Sequence, residues 1–393
     1  MENLKNKVLK SLALLIDQNR EAIVSANKAD VLAVQDIDPS LLDRLKVDFD
    51  KVDGMITAVE QLINLPDPEG VVLSSYTHPN GMLVENKRVA FGTILIIYES
   101  RPDVTIEAAI TAFKAGNKII LKGGKEARLT NLKLVELWHN ALEQNGFDKS
   151  YIQYLDLGRA EVQKLIKNER EKIDLIIPRG GEGLINYIKE NSSVPVIVSG
   201  RGNNFMFVDE SFDFDMLKNV ALNGKSRLSV CNALDKVIFS SNIENLDQII
   251  TELANSFKSI GIEVYGPSKI AEKCDSIIVD DSEEILYEEF LSEKIYFTLA
   301  DTLDAGIELI NKYSGGHSAT IISSDKANAE TFQKEVDCAA VYHNVSTRFT
   351  DGGQFGFGAE IAISTQKLHF RGPLGLGELL TNKWFISGNG QTR

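Results

Sequence analysis

From Val89 onward, short apolar runs of strand length alternate with stretches of helical periodicity, and nothing else in the 393 residues restricts the fold as tightly. The strand candidates of a first set are Thr93 to Tyr98, Lys118 to Lys122, Ile152 to Leu157, Ile173 to Pro178 and Val194 to Ser199. Between them, Lys125 to Asn145 carries Leu129, Leu132, Val135, Trp138 and Leu142 on one stripe, as a helix covering a sheet face requires. Strands that alternate with helices are joined by crossovers, so the pattern predicts an α/β fold with doubly wound parallel sheets. The rhythm restarts near Phe205 and runs through Asp235 to Phe239, Ser276 to Val279, Lys294 to Leu299, Ala319 to Ile322 and Ala339 to His343. Two α/β units follow, with the boundary near Gly200-Arg201-Gly202, and the length also exceeds what one core usually serves.

The first sixty residues read differently, as helices: Leu4, Val8, Leu12, Leu15 and Ile16 fall at helical spacing, and Asp38-Pro39-Ser40 marks a helix start. After the breaker Pro66 to Gly70, the run from Val71 to Val84 reads as two strands around His78-Pro79-Asn80-Gly81, a hairpin turn. A lone hairpin is marginal in water, so this one packs on something else, with another subunit among the candidates.

Charge narrows the ligands. The chain has 42 Lys and Arg against 56 Asp and Glu, a net charge of −14, which repels nucleic acid and anionic membranes. A phosphate-bearing ligand must therefore meet a local basic cluster. The N-terminus has no basic region ahead of a long apolar run, and no stretch approaches the ~18 apolar residues of a membrane span, so a cytoplasmic location is expected. Three scattered cysteines, Cys231, Cys274 and Cys338, fit neither a disulfide framework nor a zinc cage. The histidines show no metal-ligand spacing, and no metal is expected.

Two glycine pairs follow strand candidates. Lys122-Gly123-Gly124-Lys125 can point backbone N–H groups and two ammonium groups at one spot, which suits a phosphate or merely makes a tight turn. Arg179-Gly180-Gly181 is a comparable candidate. Neither spells the dinucleotide fingerprint, so cofactor binding would be of another kind. Cys231 lies in Lys225-Ser226-Arg227-Leu228-Ser229-Val230-Cys231-Asn232, where nearby cations favour a nucleophilic thiolate; the alternative is a buried structural thiol. Cys338 reads as core. His317 sits in a glycine-flexed loop and reads as loop structure, and Glu283, Glu284, Glu288 and Glu289 read as a solvated helix face. The loop Asn344 to Gly356 is dense in glycine and hydroxyls and contains Arg348; it can wrap a small anion or simply turn.

Taken in order, Tyr98 to Thr105, Lys122 to Ala127, Val230 to Ala233, Asn344 to Gly358, Ile363 to His369 and Arg371-Gly372-Pro373 closely resemble the γ-glutamyl phosphate reductase family of the aldehyde dehydrogenase superfamily, nearly end to end. The resemblance implies two Rossmann-like three-layer domains and a small β-hairpin oligomerisation element. It places the cofactor-binding domain at 1–69, 90–199 and 371–381, the catalytic domain at 200–370, and the oligomerisation element at 70–89 and 382–393. It puts the nucleophile on Cys231. It implies reduction of L-glutamate 5-phosphate to L-glutamate 5-semialdehyde and phosphate through a cysteine thioester, the second step of proline biosynthesis.

The same resemblance gives Lys122 the adenosine ribose and Glu289 the nicotinamide ribose of the cofactor, which raises Glu289 above the solvated reading. Gly123, Gly124, Arg179, Gly180 and Gly181 would line the cofactor, and Lys125, standing where NAD-preferring members carry an acid, favours the 2′-phosphate of NADPH over NADH. Ser100, Arg101, Asn223, Lys225, Arg227, His317 and Arg348 become candidates for the oxyanion, the phosphate and the glutamate carboxylate, since guanidinium binds both anions in bidentate fashion. A homo-oligomer, dimer or tetramer, is implied, as is transient contact with a separate glutamate 5-kinase.

The chain departs from the family's pattern at Val198-Ser199-Gly200, where hydrolytic members carry a glutamate base, at Asn203-Asn204, at Arg227-Leu228 and at Ser318-Ala319. Two other readings compete: a reductase of a different acyl phosphate or CoA thioester, and a silent homologue that serves as a binding partner. The intact Cys231 argues against the second.

Overall fold

The computed structural model describes residues 3–34, 39–167, 173–357 and 360–393; of the residues singled out above, Asp38 and Gly358 lie outside them. The chain forms two compact units. Met1–Val198, Gly356–Ala362 and Pro373–Arg393 make the first, and Ser199–Phe355 with Ile363–Gly372 make the second. The chain thus returns to the first unit earlier than the expected 371. Ile361 and Ala362 are buried in that unit's core, and the Ile361 N–H donates to the Leu374 carbonyl at 2.8 Å.

In the first unit, Thr93–Tyr98 lies inside a four-stranded parallel sheet in the order Ile152–Tyr154, Lys118–Lys122, Thr93–Tyr98, Leu175–Arg179. A parallel bridge from Ile176 to Val196 extends the far edge. The central strand reverses the order of connection, which makes its carboxyl end a topological switch point. Its side chains alternate: Ile94, Ile96 and Tyr98 enter one core cluster and Leu95 and Ile97 another, so both faces are covered, as in parallel sheets generally. Helices Leu4–Gln18, Phe49–Asn64 and Arg128–Gln144 contribute to the first cluster. The opening helix buries Val8, Leu9, Leu12 and Ile16, while Leu4 stays exposed. Similarly, Arg128–Gln144 buries Leu134, Val135, Leu137, Trp138 and Leu142 and leaves Leu129 outside, so the buried stripe is shifted from the one expected.

The hairpin is antiparallel, as its turn residues require: Val72–Thr77 pairs with Leu83–Ala90, and Gly81 turns with φ 92°. Leu380–Ser387 pairs along the other side of Leu83–Ala90. Tyr76, Trp384 and Ile386 on this three-stranded sheet are each more than half exposed.

The second unit is built on a seven-stranded parallel sheet ordered Ile278–Val279, Glu263–Gly266, Lys294–Ala300, Leu234–Ser240, Asn204–Val208, Ser318–Ile322, Ala340–His343. Again the alternation serves two faces, with Met206 and Val208 in one cluster and Phe205 and Phe207 in the other. The short strand Glu263–Gly266 escapes a sequence reading because two of its four residues, Glu263 and Gly266, are poor strand formers.

Candidate active site

Cys231 is partly exposed and sits in the turn that precedes Leu234–Ser240, at the amino end of its strand. That strand neighbours Asn204–Val208, which neighbours Ser318–Ile322, so Asn204 and His317 enter at the amino ends of adjacent strands. The turn around Cys231 exposes carbonyls that a buried loop must satisfy. The Asn204 amide nitrogen, fully buried, lies 2.8 Å from the carbonyls of both Cys231 and Gly202 and 2.6 Å from that of Ala233. On the next residue, the Thr347 hydroxyl donates to the Asn232 carbonyl at 2.9 Å, and the Asn232 amide donates to the carbonyls of Arg348 and Thr350. Arg348 in turn donates to the Asn232 side-chain oxygen. Gly202 is needed for closeness alone: a Cβ there would stand 1.9 Å from the Cys231 carbonyl oxygen.

The same contacts fix the state of His317. Because the Asn204 nitrogen faces three carbonyls, its oxygen faces the His317 Nδ1 at 3.1 Å, so Nδ1 carries the proton and donates. Ser318 Oγ lies 2.8 Å from the same nitrogen and continues the chain to Thr350 Oγ1, which meets the Tyr342 hydroxyl. Nε2 is buried with no hydrogen-bond partner among the described residues, and burial lowers the imidazole pKa to about 4. His317 is therefore a neutral strut. Burial also lowers the Arg348 pKa, with Arg227 acting in the same direction and Asp351 and Cys231 against it, which places Arg348 within electrostatic reach of both Arg227 and the thiol.

In the first unit, the carboxyl edge of the sheet carries the other candidates. Lys122 ends its strand half-buried, with its ammonium turned onto the Gly123 carbonyl, and Lys125 is exposed. A Cβ on Gly123 would meet the Asn131 nitrogen at 2.1 Å, and one on Gly180 would meet the Glu99 carboxylate at 2.5 Å. Some of the N–H groups expected to meet a phosphate already have partners. Asp30 accepts from the Leu129 and Thr130 N–H groups at the start of Arg128–Gln144, and Glu99 accepts from the Gly181 N–H at the start of Glu182–Asn191. Ser100 takes φ 44°, and both its N–H and its hydroxyl donate to Glu126. Arg101 and Arg179 converge electrostatically on Glu107, whose pKa burial and Asp103 raise to about 7 against the pull of the two guanidiniums.

The profile of the aldehyde dehydrogenase family matches residues 5–269. A γ-glutamyl phosphate reductase of Caldicellulosiruptor saccharolyticus is 42% identical over 398 residues, covering 100% of this chain and 94% of the relative. A crystal structure of γ-glutamyl phosphate reductase from Thermotoga maritima superposes with a TM-score of 0.94 at 40% identity, covering 100% of this chain and 95% of that one. The chain belongs to the aldehyde dehydrogenase family. An acetylating aldehyde dehydrogenase from Geobacillus thermoglucosidasius, at 15% identity and a TM-score of 0.71, shares the fold.

Within this aldehyde dehydrogenase fold, the second unit brings together Cys231, Arg227, Arg348 and His317. Asn223 lies exposed near the end of the helix Phe214–Gly224, where its carbonyl accepts from Ser226. Lys225 requires correction as a substrate ligand: its ammonium is fully buried and donates to Asp235 at 2.8 Å, so it has no exposed charge to offer. Sequence alone assigns Asn204, Asn232 and Thr347 no role beside Cys231, although all three fall in stretches it singles out. The one local signal was the pair Asn203-Asn204 placed directly before an apolar run, where a strand start has no need of two amides. Among the described residues no group of three or more His, Cys, Asp or Glu side chains could hold a metal, and no helix is long and apolar enough to cross a membrane.

Proposed function

We propose that this chain reduces L-glutamate 5-phosphate to L-glutamate 5-semialdehyde and phosphate in the cytoplasm, using NADPH and a thioester on Cys231. The observation that carries the reading is the seating of Cys231: a partly exposed thiol whose flanking carbonyls are held by Asn204 and Thr347, with Arg348 and Arg227 close by. The names of the end-to-end relatives supply the substrate.

Thiolate attack forms a C–S bond at the acyl carbon as the bond to phosphate oxygen breaks, which splits one hard displacement into two steps. Arg348 and Arg227 are the groups proposed to hold the departing phosphate or the substrate carboxylate. The nicotinamide cofactor, when bound, supplies the hydride that reduces the thioester. The Cys231 N–H is the donor proposed for the thiohemiacetal oxyanion, whose collapse breaks the C–S bond and restores the thiolate. Holding the Cys231, Asn232 and Ala233 carbonyls fixes the turn on which that N–H sits while charge develops. In the first unit, Lys122 is proposed to hold the adenosine ribose and Lys125 the 2′-phosphate as an ammonium donor, where Asp30 and Glu99 already take some of the neighbouring helix N–H groups. Glu289 is proposed to hold the nicotinamide ribose.

The exposed face of the three-stranded sheet, with Trp384, Ile386 and Tyr76, supports a homo-oligomer. The lability of acyl phosphates supports transient contact with a separate glutamate 5-kinase. The deciding assay is oxidation of glutamate semialdehyde followed as NADPH formation. Activity is expected to need phosphate and to vanish in Cys231→Ala; turnover without phosphate or without the thiol would sink the reading.

A further inference from the structure

One buried cluster in the second unit has no place in the chemistry above. Lys236, in the strand Leu234–Ser240 and only five residues after Cys231, is fully buried. Its ammonium donates to the Glu288 carbonyl and sits 3.7 Å from the centre of the Phe290 ring. The adjacent Asp235 uses one carboxylate oxygen for the buried Lys225 and the other, at 3.0 Å, for the Phe290 N–H. Lys225 itself approaches the same ring at 5.6 Å.

Two buried ammonium groups and a buried carboxylate are costly unless each is paired, and all three here converge on one short segment. The peptide groups on either side of Glu289 are both held, from Glu288 by Lys236 and from Phe290 by Asp235. Leu291, the following residue, takes φ 47°, a conformation a branched aliphatic adopts only where its surroundings impose it. The cluster forms a clamp whose far end is the Glu289 backbone.

We propose that Lys236, with Asp235, Lys225 and Phe290, is a positioning cluster that fixes Glu289 for the nicotinamide half of the cofactor. The proposal rests on the reading of Glu289 as the acid that holds the nicotinamide ribose. It ties the orientation of that acid to the strand that follows the nucleophile, so one rigid element sets both.

The test is direct titration of NADPH and of 2′,5′-ADP, its adenine half, into purified wild type, Glu289→Gln, Lys236→Met, Phe290→Leu and the double variant Lys236→Met/Glu289→Gln, read by protein fluorescence beside the melting temperature. Lys236→Met and Phe290→Leu are each expected to raise the NADPH Kd roughly 10-fold and to leave the 2′,5′-ADP Kd unchanged. The double variant should be no worse than Glu289→Gln alone, because the cluster acts only through that carboxylate. Wild-type NADPH affinity in a folded Lys236→Met or Phe290→Leu, with Glu289→Gln impaired, overturns the positioning role and leaves the reading of Glu289 intact. Unchanged affinity in Glu289→Gln overturns that reading, and the proposal with it. Equal loss of both ligands overturns the proposal by showing that the unit as a whole was disturbed.

Discussion

The two parallel sheets of this molecule present their candidate residues at opposite ends. In the first unit, Lys122, Lys125, Arg179 and the glycine pairs lie at the carboxyl edge, the edge where open α/β sheets generally meet ligands. In the second, Cys231, Asn204 and His317 lie at the amino edge. The amino edge offers no ready-made array of helix N-termini, so the turn that carries Cys231 is held by side chains: Asn204 and Thr347 donate to its carbonyls, the neutral His317 orients Asn204, and Asn232 ties the turn to the carbonyls of Arg348 and Thr350. The carboxyl edge does have helix N-termini, but Asp30 and Glu99 take some of their N–H groups. The contrast teaches that both candidate sites draw on a few named side chains beyond the backbone N–H groups of a helix start.

If the amino edge is the chemical centre, Cys231→Ala should lower turnover by about 10³-fold or more while the NADPH Kd stays at the wild-type value. Steady-state assays beside a binding titration check both halves. A variant that lost cofactor affinity as well would show that the thiol serves binding too, and the separation of roles between the two edges would fail.

The strut behind the nucleophile predicts an acid sensitivity. Burial holds the His317 pKa at about 4, below its ordinary 6.5, so the unfolded chain binds the proton more readily between those values. Stability from this group is complete above pH 6.5 and is lost as the pH falls toward 4, by on the order of 3 kcal/mol. His317→Asn keeps a donor for the Asn204 oxygen and removes the titration. Denaturant melts from pH 7 to 4 should fall more steeply for wild type than for the variant; parallel curves would refute the neutral strut.

Removing the amide that faces the turn should have a somewhat smaller effect. Asn204→Ala leaves the Cys231 and Ala233 carbonyls buried without that donor, at a cost of about 2 kcal/mol in stability, and loosens the nucleophile. The expected result is a fall in kcat with cofactor affinity kept. Loss confined to stability, with kcat intact in the folded fraction, would demote Asn204 to ordinary core.

The same comparison explains what the sequence reveals. Strand periodicity is local, so Thr93–Tyr98 and Lys118–Lys122 are readable to the residue, and Lys294–Ala300 nearly so. The candidate nucleophile stands out because Val230-Cys231-Asn232-Ala233 is a contiguous motif. Partnerships across the sheet are not local. Nothing near Asn204 states that it will face a carbonyl 27 residues away, and nothing near Lys236 states that it will meet Glu288 and Phe290. Lys225 misleads for the same reason: its proximity to Cys231 suggested a substrate cation, but Asp235, ten residues on, takes the charge inside.

The carboxyl edge yields the mildest prediction and the one that most sharpens the contrast. Lys125 is exposed and begins a short turn of helix, Lys125–Ala127, before Arg128–Gln144, while the N–H groups of Leu129 and Thr130 belong to Asp30. A 2′-phosphate held there would be bound by the ammonium alone, a point charge in solvent whose contribution is modest and screened by salt. Lys125→Glu should therefore shift the ratio of NADPH to NADH affinity by roughly 10-fold toward NADH, with the change shrinking as salt is raised and with kcat little altered. Binding isotherms for both cofactors at low and high salt decide the matter. A shift that resists salt would mean that the phosphate displaces Asp30 and reaches the helix N–H groups after all, which would make the carboxyl edge an ordinary dinucleotide site.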